Sequence, residues 1–162
     1  MKNITKAMMV SVLAVGTLAA GCQTTSTPSA PVTQPITSNG LQAYNWQLVD
    51  AKTSSGQTIA PLFFDSTKPL TLNFMTENGN NIVSFMNTCN NMAAQYSVVN
   101  GEVKIGPVRS TRMACPATQA NFDAATLATV NGKYSMSKNA KNMPVLTITN
   151  ANQVANFKAV AK

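Results

Sequence analysis

The sequence predicts a mainly β (α+β) domain, in which a strongly curved antiparallel sheet of about seven or eight strands carries one packed helix. Short apolar stretches alternate with turn residues along residues 41–162, as is typical of antiparallel sheets. Asn100-Gly101 separates two such stretches, which is a strong hairpin signal. One segment, residues 117–130, instead spaces its large apolar residues as a helix does. We therefore expect residues 41–162 to fold as one domain.

The predicted strands follow in chain order. The first, Tyr44–Asp50, contains the only tryptophan, Trp46, which we expect to anchor the core because it is the largest side chain. Residues 70–75 then alternate apolar and polar side chains, and residues 77–81 supply a turn. Further strands are predicted around Val83 and Phe85, around Tyr96 and Val98, around Val103 and Ile105, and over residues 133–137, 145–149 and 154–160.

The predicted helix covers Ala117–Val130, ATQANFDAATLATV. Alanines separate its large apolar residues, whose spacing fits one amphipathic helix better than a strand: Phe122, Leu127 and Val130. Pro116 stands just before the first turn, where a missing amide hydrogen costs little. We expect Asn131-Gly132 to cap the end of the helix.

Residues 1–21 have the pattern of a bacterial lipoprotein signal peptide. Lys2 and Lys6 form a positive region, and Ala7–Ala20 is an apolar stretch too short to span a membrane comfortably. Leu18-Ala-Ala-Gly-Cys22 resembles a lipobox, with the leucine one position further from the cysteine than is usual. A transmembrane anchor and an ordinary secretory signal are the alternatives. The resemblance implies that Cys22 becomes the mature N-terminus and carries two or three acyl chains, which give stable membrane anchoring.

Residues 22–40 are predicted to form a lipidated, disordered tether. Thr, Ser and Pro dominate the segment, no residue in it is charged, and only Val32 and Ile36 are large and apolar. Lipoproteins with aspartate after the acylated cysteine tend to stay at the inner membrane, whereas here Gln23 follows Cys22. The resemblance therefore implies anchoring at the periplasmic face of the outer membrane.

The composition excludes several kinds of chemistry. The chain has no histidine, which rules out Ser-His-Asp triads, Cys-His dyads and histidine-ligated zinc. Its five carboxylates are widely spaced, so the spacing gives no hint of an acid/base pair. The net charge is +7, but the basic residues of the folded part are scattered rather than clustered as in nucleic-acid binders. We therefore expect no enzymatic activity, no metal, no cofactor and no nucleic-acid partner.

Cys89 and Cys115 remain once Cys22 is acylated. An even pair of cysteines in the oxidising envelope is most simply a disulfide. On the chain-entropy model, a bridge across this loop contributes on the order of 3–4 kcal/mol of stability. The alternatives are two free buried thiols, a reactive thiol activated by nearby Arg109 and Arg112, or a Cu(I) site that adds a soft ligand from Met86, Met92 or Met113.

Two short motifs resemble the META domain of HslJ-like proteins. Cys89-Asn90 matches part of a Gly-Cys-Asn motif, and Thr111-Arg-Met-Ala-Cys115 matches a Thr-x-Met-Ala-Cys motif. The resemblance covers about residues 41–160, including Trp46 and Leu48 near its start. It marks four residues as family-motif positions: Asn90, Thr111, Met113 and Ala114. Thr88 stands where the family has glycine, and it would be strained if that position has a positive φ.

The resemblance implies a bent antiparallel sheet with a helix. Family members are often envelope lipoproteins linked to stress tolerance, motility or secretion, and no catalytic residue is established that could be carried over. We therefore expect a non-catalytic, lipid-anchored envelope protein that binds another protein or stabilises the envelope under stress. The alternative is a binder or carrier of a small apolar ligand or lipid in a cleft between sheet and helix, lined by Met75, Phe85 and Met86.

Overall fold

The computed structural model describes residues 32–162. These residues form one antiparallel sheet of ten strands with one long helix packed on it, which confirms the predicted mainly β architecture. The predicted signal peptide (residues 1–21), the acylation site Cys22 and the first part of the predicted tether lie outside the described residues. Within the described part of the chain, no helix is long and apolar enough to span a membrane.

The strands are β1 Thr33–Gln34, β2 Asn45–Thr53, β3 Thr71–Glu77, β4 Asn80–Met86, β5 Met92–Val99, β6 Glu102–Ile105, β7 Arg109–Ser110, β8 Lys133–Lys138, β9 Pro144–Thr149 and β10 Gln153–Val160. The helices are α1 Ser38–Gln42 and α2 Ala117–Val130, and a short 3₁₀ helix covers Ala60–Phe63. Every strand predicted from the sequence is present. The additional strands β1 and β7 have two residues each, which is too short to show a period-two pattern.

Neighbouring strands follow the order β1-β8-β9-β10-β2-β3-β4-β5-β6, and all pairings are antiparallel. The sheet does not close, because β1 and β6 are its two ends. β7 pairs with the start of β5, on the edge that β6 occupies further along the same strand. A register shift between Asn156 and Phe157 interrupts the pairing of β10 with β2, and such irregularities bend a strand.

The inner face of the sheet carries the core. Trp46, Phe74 and Phe157 are fully buried, which confirms the prediction that Trp46 anchors the core. The indole nitrogen of Trp46 donates to the carbonyl of Leu41 in α1 at 2.9 Å, so burial leaves its polar group paired. The ring of Phe74 meets that of Tyr96 edge-on, with 5.0 Å between the ring centroids.

Two hairpin turns depend on left-handed backbone conformations. Asn78 and Gly79 join β3 to β4 with φ angles of 49° and 79°. Asn100 and Gly101 join β5 to β6 with φ angles of 53° and 80°. Positive φ at both central residues of a two-residue loop matches the twist of the paired strands, which is why Asn100-Gly101 predicted a hairpin correctly. At residues 77–81 the sequence predicted a turn, and the structure shows that it joins β3 to β4 in a second hairpin.

The prediction that residues 22–40 form a disordered tether is wrong for residues 33–40. β1 pairs with the C-terminal half of β8, and Ile36 is only 5% exposed. The hydroxyl of Thr37 then accepts a hydrogen bond from the amide of Gly40 at 3.0 Å and caps α1. The polar composition suggested that ordering this segment would cost too much conformational entropy. The burial of Ile36 and the pairing of β1 with the edge of β8 offset that cost.

The helix α2 has the predicted bounds, Ala117–Val130, but a different buried face. Leu127 is only half-buried, whereas Val130 is fully buried. The apolar pattern selected only Phe122 and Val130 of the buried face, because its other three members are polar. The buried residues of α2 are Phe122, Asp123, Thr126, Thr129 and Val130.

The end of α2 is capped by Asn131 through its side chain, and not by Gly132 in a left-handed conformation as Asn131-Gly132 predicted. Asn131 has a φ of −85°, and its side-chain amide donates to the carbonyl of Leu127 at 3.0 Å. Gly132 is not among the residues with positive φ. A Cβ at this position would lie 2.7 Å from the carbonyl oxygen of Thr149. Glycine is therefore needed here because the backbone of residue 132 packs directly against that of Thr149.

Candidate functional site

A disulfide joins Cys89, which follows β4, to Cys115, which precedes α2. Their Cα atoms lie 6.2 Å apart, and both residues are half-buried. The bond confirms the pairing predicted from the sequence. It also leaves neither sulfur as a free thiol, so the reactive-thiol and copper–thiolate alternatives do not apply to this form of the protein.

The side chain of Asn90 ties the two motifs together. Its Oδ1 accepts hydrogen bonds from the amide of Met113 at 2.7 Å and from the hydroxyl of Thr111 at 3.2 Å. Its Nδ2 donates to Oδ2 of Asp123 at 3.0 Å and lies 3.2 Å from Sγ of Cys115. One side chain thereby satisfies polar groups of a segment more than 20 residues further along the chain.

Asp123 of α2 completes this arrangement. Its side chain is 7% exposed, and its two oxygens accept the backbone amides of Cys89 and Asn90, each at 2.9 Å. Within residues 32–162, the only side-chain ion pair closer than 4 Å joins Lys52 to Asp50. Three N–H groups, rather than a cation, therefore compensate the buried carboxylate of Asp123.

We call this unit the disulfide clasp: Cys89, Asn90, Thr111, Met113, Cys115 and Asp123. Sequence reasoning identified every member except Asp123. The available signal was its position on α2, because Asp123 shares a helical stripe with Thr126 and Val130, three and seven residues on. A single carboxylate on the buried face of a helix implies that hydrogen-bond donors lie in the part of the protein packed against that face.

Thr88 replaces the family's glycine without the anticipated strain. The positive φ at this turn belongs to the preceding residue, Asn87, at 72°, and Thr88 is not among the residues with positive φ. The hydroxyl of Thr88 lies 2.9 Å from the carbonyl oxygen of Phe85 and 2.6 Å from that of Asn90. The threonine therefore reinforces the turn that presents Asn90 to its partners.

The clasp holds a segment that is otherwise open to solvent. All six residues from Arg109 to Ala114, which we call the edge segment, are exposed. Met113 is held by its backbone amide, while its side chain is 60% exposed. Of the motif positions, Asn90 and Thr111 thus act through their side chains in the clasp, whereas the side chains of Met113 and Ala114 face solvent.

Beside the edge segment lies a concavity of about 670 Å³, which we call the outer groove. No carboxylate contributes to its lining. Its floor and rim are formed by the ends of β4, β5 and β7 and the turn after β4, including Ser84, Met86, Asn91, Ala93, Arg109 and Thr111. No group of three or more residues of the kind that ligate metals comes together in the part of the chain that the structure describes.

The three side chains expected to line an apolar ligand cleft do not share one. Phe85 is 2% exposed and packs in the core, while the next residue, Met86, is 41% exposed. Adjacent residues of a strand point to opposite faces of the sheet. Met75 is half-buried and pairs with Ile82 of β4, in the alternate position to the buried Phe74.

Two solved structures and one family model are similar to this chain. An NMR structure of a protein from Burkholderia xenovorans is 21% identical, has a TM-score of 0.62, and covers 97% of this chain and 99% of its own. A second NMR structure is 19% identical, has a TM-score of 0.49, and covers 76% of this chain and 95% of its own. No curated protein matches the sequence significantly. Because the model of the META domain family matches residues 39–161, the chain belongs to the META domain family.

Proposed function

We propose that the protein is a non-catalytic, lipid-anchored envelope protein. Acyl chains on Cys22 hold it at the periplasmic face of the outer membrane, and its META domain binds another protein through the edge segment and the outer groove. The lipobox-like sequence supports the anchor. The disulfide is consistent with an oxidising compartment.

One observation carries the binding role: the edge segment is exposed along its whole length and yet firmly held. Its inner side is fixed by Asn90 and by the disulfide at Cys115. An exposed apolar side chain, Met113, stands on this fixed backbone. A preorganised surface loses little conformational entropy when a partner binds, so such a surface favours binding.

Site-specific photocrosslinking in the membrane tests the binding role. A photoreactive residue at position 113 of the full-length, membrane-inserted protein should yield a discrete crosslinked protein. The matched control is Met143, which is 44% exposed on the loop between β8 and β9. Equal adducts at both positions, or none at position 113, would contradict partner binding through this surface.

Mass spectrometry of the purified mature protein tests the anchor. We expect a chain that begins at Cys22 and carries the mass of its acyl groups. A Cys22→Ser variant should accumulate as the unprocessed precursor and be absent from the outer-membrane fraction. A mature protein that retains residues 1–21, or that reaches the outer membrane unmodified, would refute the proposed anchoring.

A further inference from the structure

We propose that the edge segment binds an extended, acidic stretch of the partner protein by β-strand addition. The partner strand would pair with the free side of Arg109–Ala114, extending the sheet beyond β7. This inference rests on the proposed protein-binding function and specifies its mode and the chemistry of the partner.

The backbone of the edge segment has one used side and one free side. Among the described residues β7 pairs with β5 alone. The amide of Thr111 donates to the carbonyl of Asn91 at 3.2 Å, and that of Met113 donates to Asn90 Oδ1 at 2.7 Å, both on the β5 side. β7 ends at Ser110, whose amide faces outwards because alternate amides of an extended chain point to opposite sides. The amide of Arg112 lies between two amides that point toward β5, and we infer the same alternation for it.

Two prolines limit this free side. Pro107 and Pro116 lack the amide hydrogen that a sheet ladder requires, and they bracket residues 108–115. The two prolines therefore limit the length of an added strand. A free edge of this kind is a template for pairing with another chain.

The other free edges of the sheet suit a partner strand less well. β1 carries no charged side chain and is followed directly by Pro35, which lacks the amide hydrogen that a longer ladder needs. β6 carries Glu102 and Lys104, which are charges of opposite sign. Neither edge presents a uniform charge to an incoming segment.

The charge of the edge segment selects an acidic occupant. Arg109 and Arg112 are both exposed, and no carboxylate occurs from residue 108 to residue 116. In a fully extended chain, positions three residues apart are separated by roughly 10 Å and lie on opposite faces, and we infer this spacing for the two arginines. A partner strand with two carboxylates three residues apart would pair with both arginines.

The same charges argue against two other occupants. The chain's own residues 1–31 contain two lysines and no carboxylate, so they do not complement the arginines. A second copy that paired antiparallel through its own edge segment would bring four arginines together, which is repulsive. An acidic segment of a different protein avoids both conflicts.

Selection from a phage-displayed library of random ten-residue peptides, on the full-length protein in detergent micelles, tests the chemistry. Enriched peptides should carry Asp or Glu pairs three residues apart. Replacing both Arg109 and Arg112 by Glu should weaken their binding about tenfold or more. The matched control replaces exposed Lys133 and Lys141 by Glu, which changes the net charge equally and should alter binding less than about twofold.

N-methylation of a selected peptide tests the mode of binding without altering the protein. Methylating every second backbone amide should abolish binding for one set of alternate positions and spare it for the other, because only one set faces β7. Equal tolerance of both sets, or enriched peptides without acidic residues, would overturn strand addition. If position 113 still crosslinks to a partner in that case, the proposed protein-binding function stands while this inference fails.

Discussion

The side chains of Asn90 and Asp123 accept hydrogen bonds from backbone amides that no neighbouring strand pairs with. Between β7 and α2 the chain forms no strand, and the side chains of these two residues accept hydrogen bonds from backbone amides near both ends of the disulfide. Side-chain acceptors of this kind replace backbone ladder bonds where a chain must leave a sheet. The charged carboxylate makes these hydrogen bonds stronger than neutral ones.

Replacing Asp123 by Asn should therefore be costly. The amide would turn an NH₂ group toward donors that now meet an oxygen, leaving at least one buried N–H unpaired. We expect the free energy of unfolding to fall by about 2 kcal/mol or more, measured by urea denaturation.

Glu77→Gln is the matched control for Asp123→Asn. Glu77 is exposed at the end of β3, and this substitution removes the same charge. We expect a change within about 0.5 kcal/mol for the control. If Asp123→Asn proves equally mild, the carboxylate does not stabilise the clasp.

At the scale of elements, the short N-terminal strand behaves as part of the domain. β1 covers an edge of β8, and Ile36 follows it into the core. Ile36→Ala should lower the free energy of unfolding by about 2–4 kcal/mol, since it leaves a cavity among buried side chains.

Val32→Ala is the control for Ile36→Ala, because Val32 is 70% exposed and its truncation should cost less than about 0.5 kcal/mol. Equal effects of the two substitutions in thermal or urea unfolding would restore the original expectation that this stretch is only a tether.

The disulfide constrains the segment from the end of β4 to the start of α2. Replacing Cys89 and Cys115 together by Ala should lower the free energy of unfolding by about 3 kcal/mol. The two cysteines are 26 residues apart in the sequence, and without the bridge the unfolded chain gains the conformational entropy of the loop between them. The hydrogen bonds of Asn90 to Asp123 remain, so we expect the variant to stay folded at room temperature.

Thiol titration provides the second readout for the disulfide. In the wild-type protein, Cys89 and Cys115 should react only after both reductant and denaturant are added. A thiol at either position that reacts in the untreated folded protein would contradict the bridge. Unchanged stability of the double variant would show that the hydrogen bonds of Asn90 and Asp123 order this segment without the disulfide.

The molecule as a whole should lose stability in alkaline solution. Burial raises the pKa of Tyr134 above its ordinary value, and its hydroxyl donates to the carbonyl of Val130 in α2 at 2.8 Å. The unfolded chain releases this proton near pH 10, whereas the folded protein retains it to higher pH. The stabilisation is thus complete below about pH 10 and is lost progressively as the pH rises above that value.

Tyr134→Phe tests this pH dependence. The variant should be less stable at pH 7 by about 1 kcal/mol, because it loses a buried hydrogen bond. Its stability should nevertheless decline less steeply than that of the wild type above about pH 10. Parallel declines for Tyr134→Phe and the wild type would refute the assignment.

The sequence by itself determined the eight longer strands, the bounds of α2 and the Asn100-Gly101 hairpin, and it favoured the pairing of Cys89 with Cys115. Each of these depends on local periodicity, on the φ angles that particular residues tolerate, or on the number of cysteines. Trp46 was predictable as a core residue for the same kind of reason, since its size leaves few alternatives to burial.

Only the tertiary structure decided the partners of Asp123, the burial of Ile36 and the need for Gly132. Each depends on atoms far apart in the chain: Asp123 meets amides 33 and 34 residues earlier, and Gly132 approaches the backbone of Thr149. A local pattern cannot encode which distant donor, edge or carbonyl arrives at a given position. For the same reason, the sequence could not predict which side of the edge segment is free, because this depends on the pairing of β7 with β5.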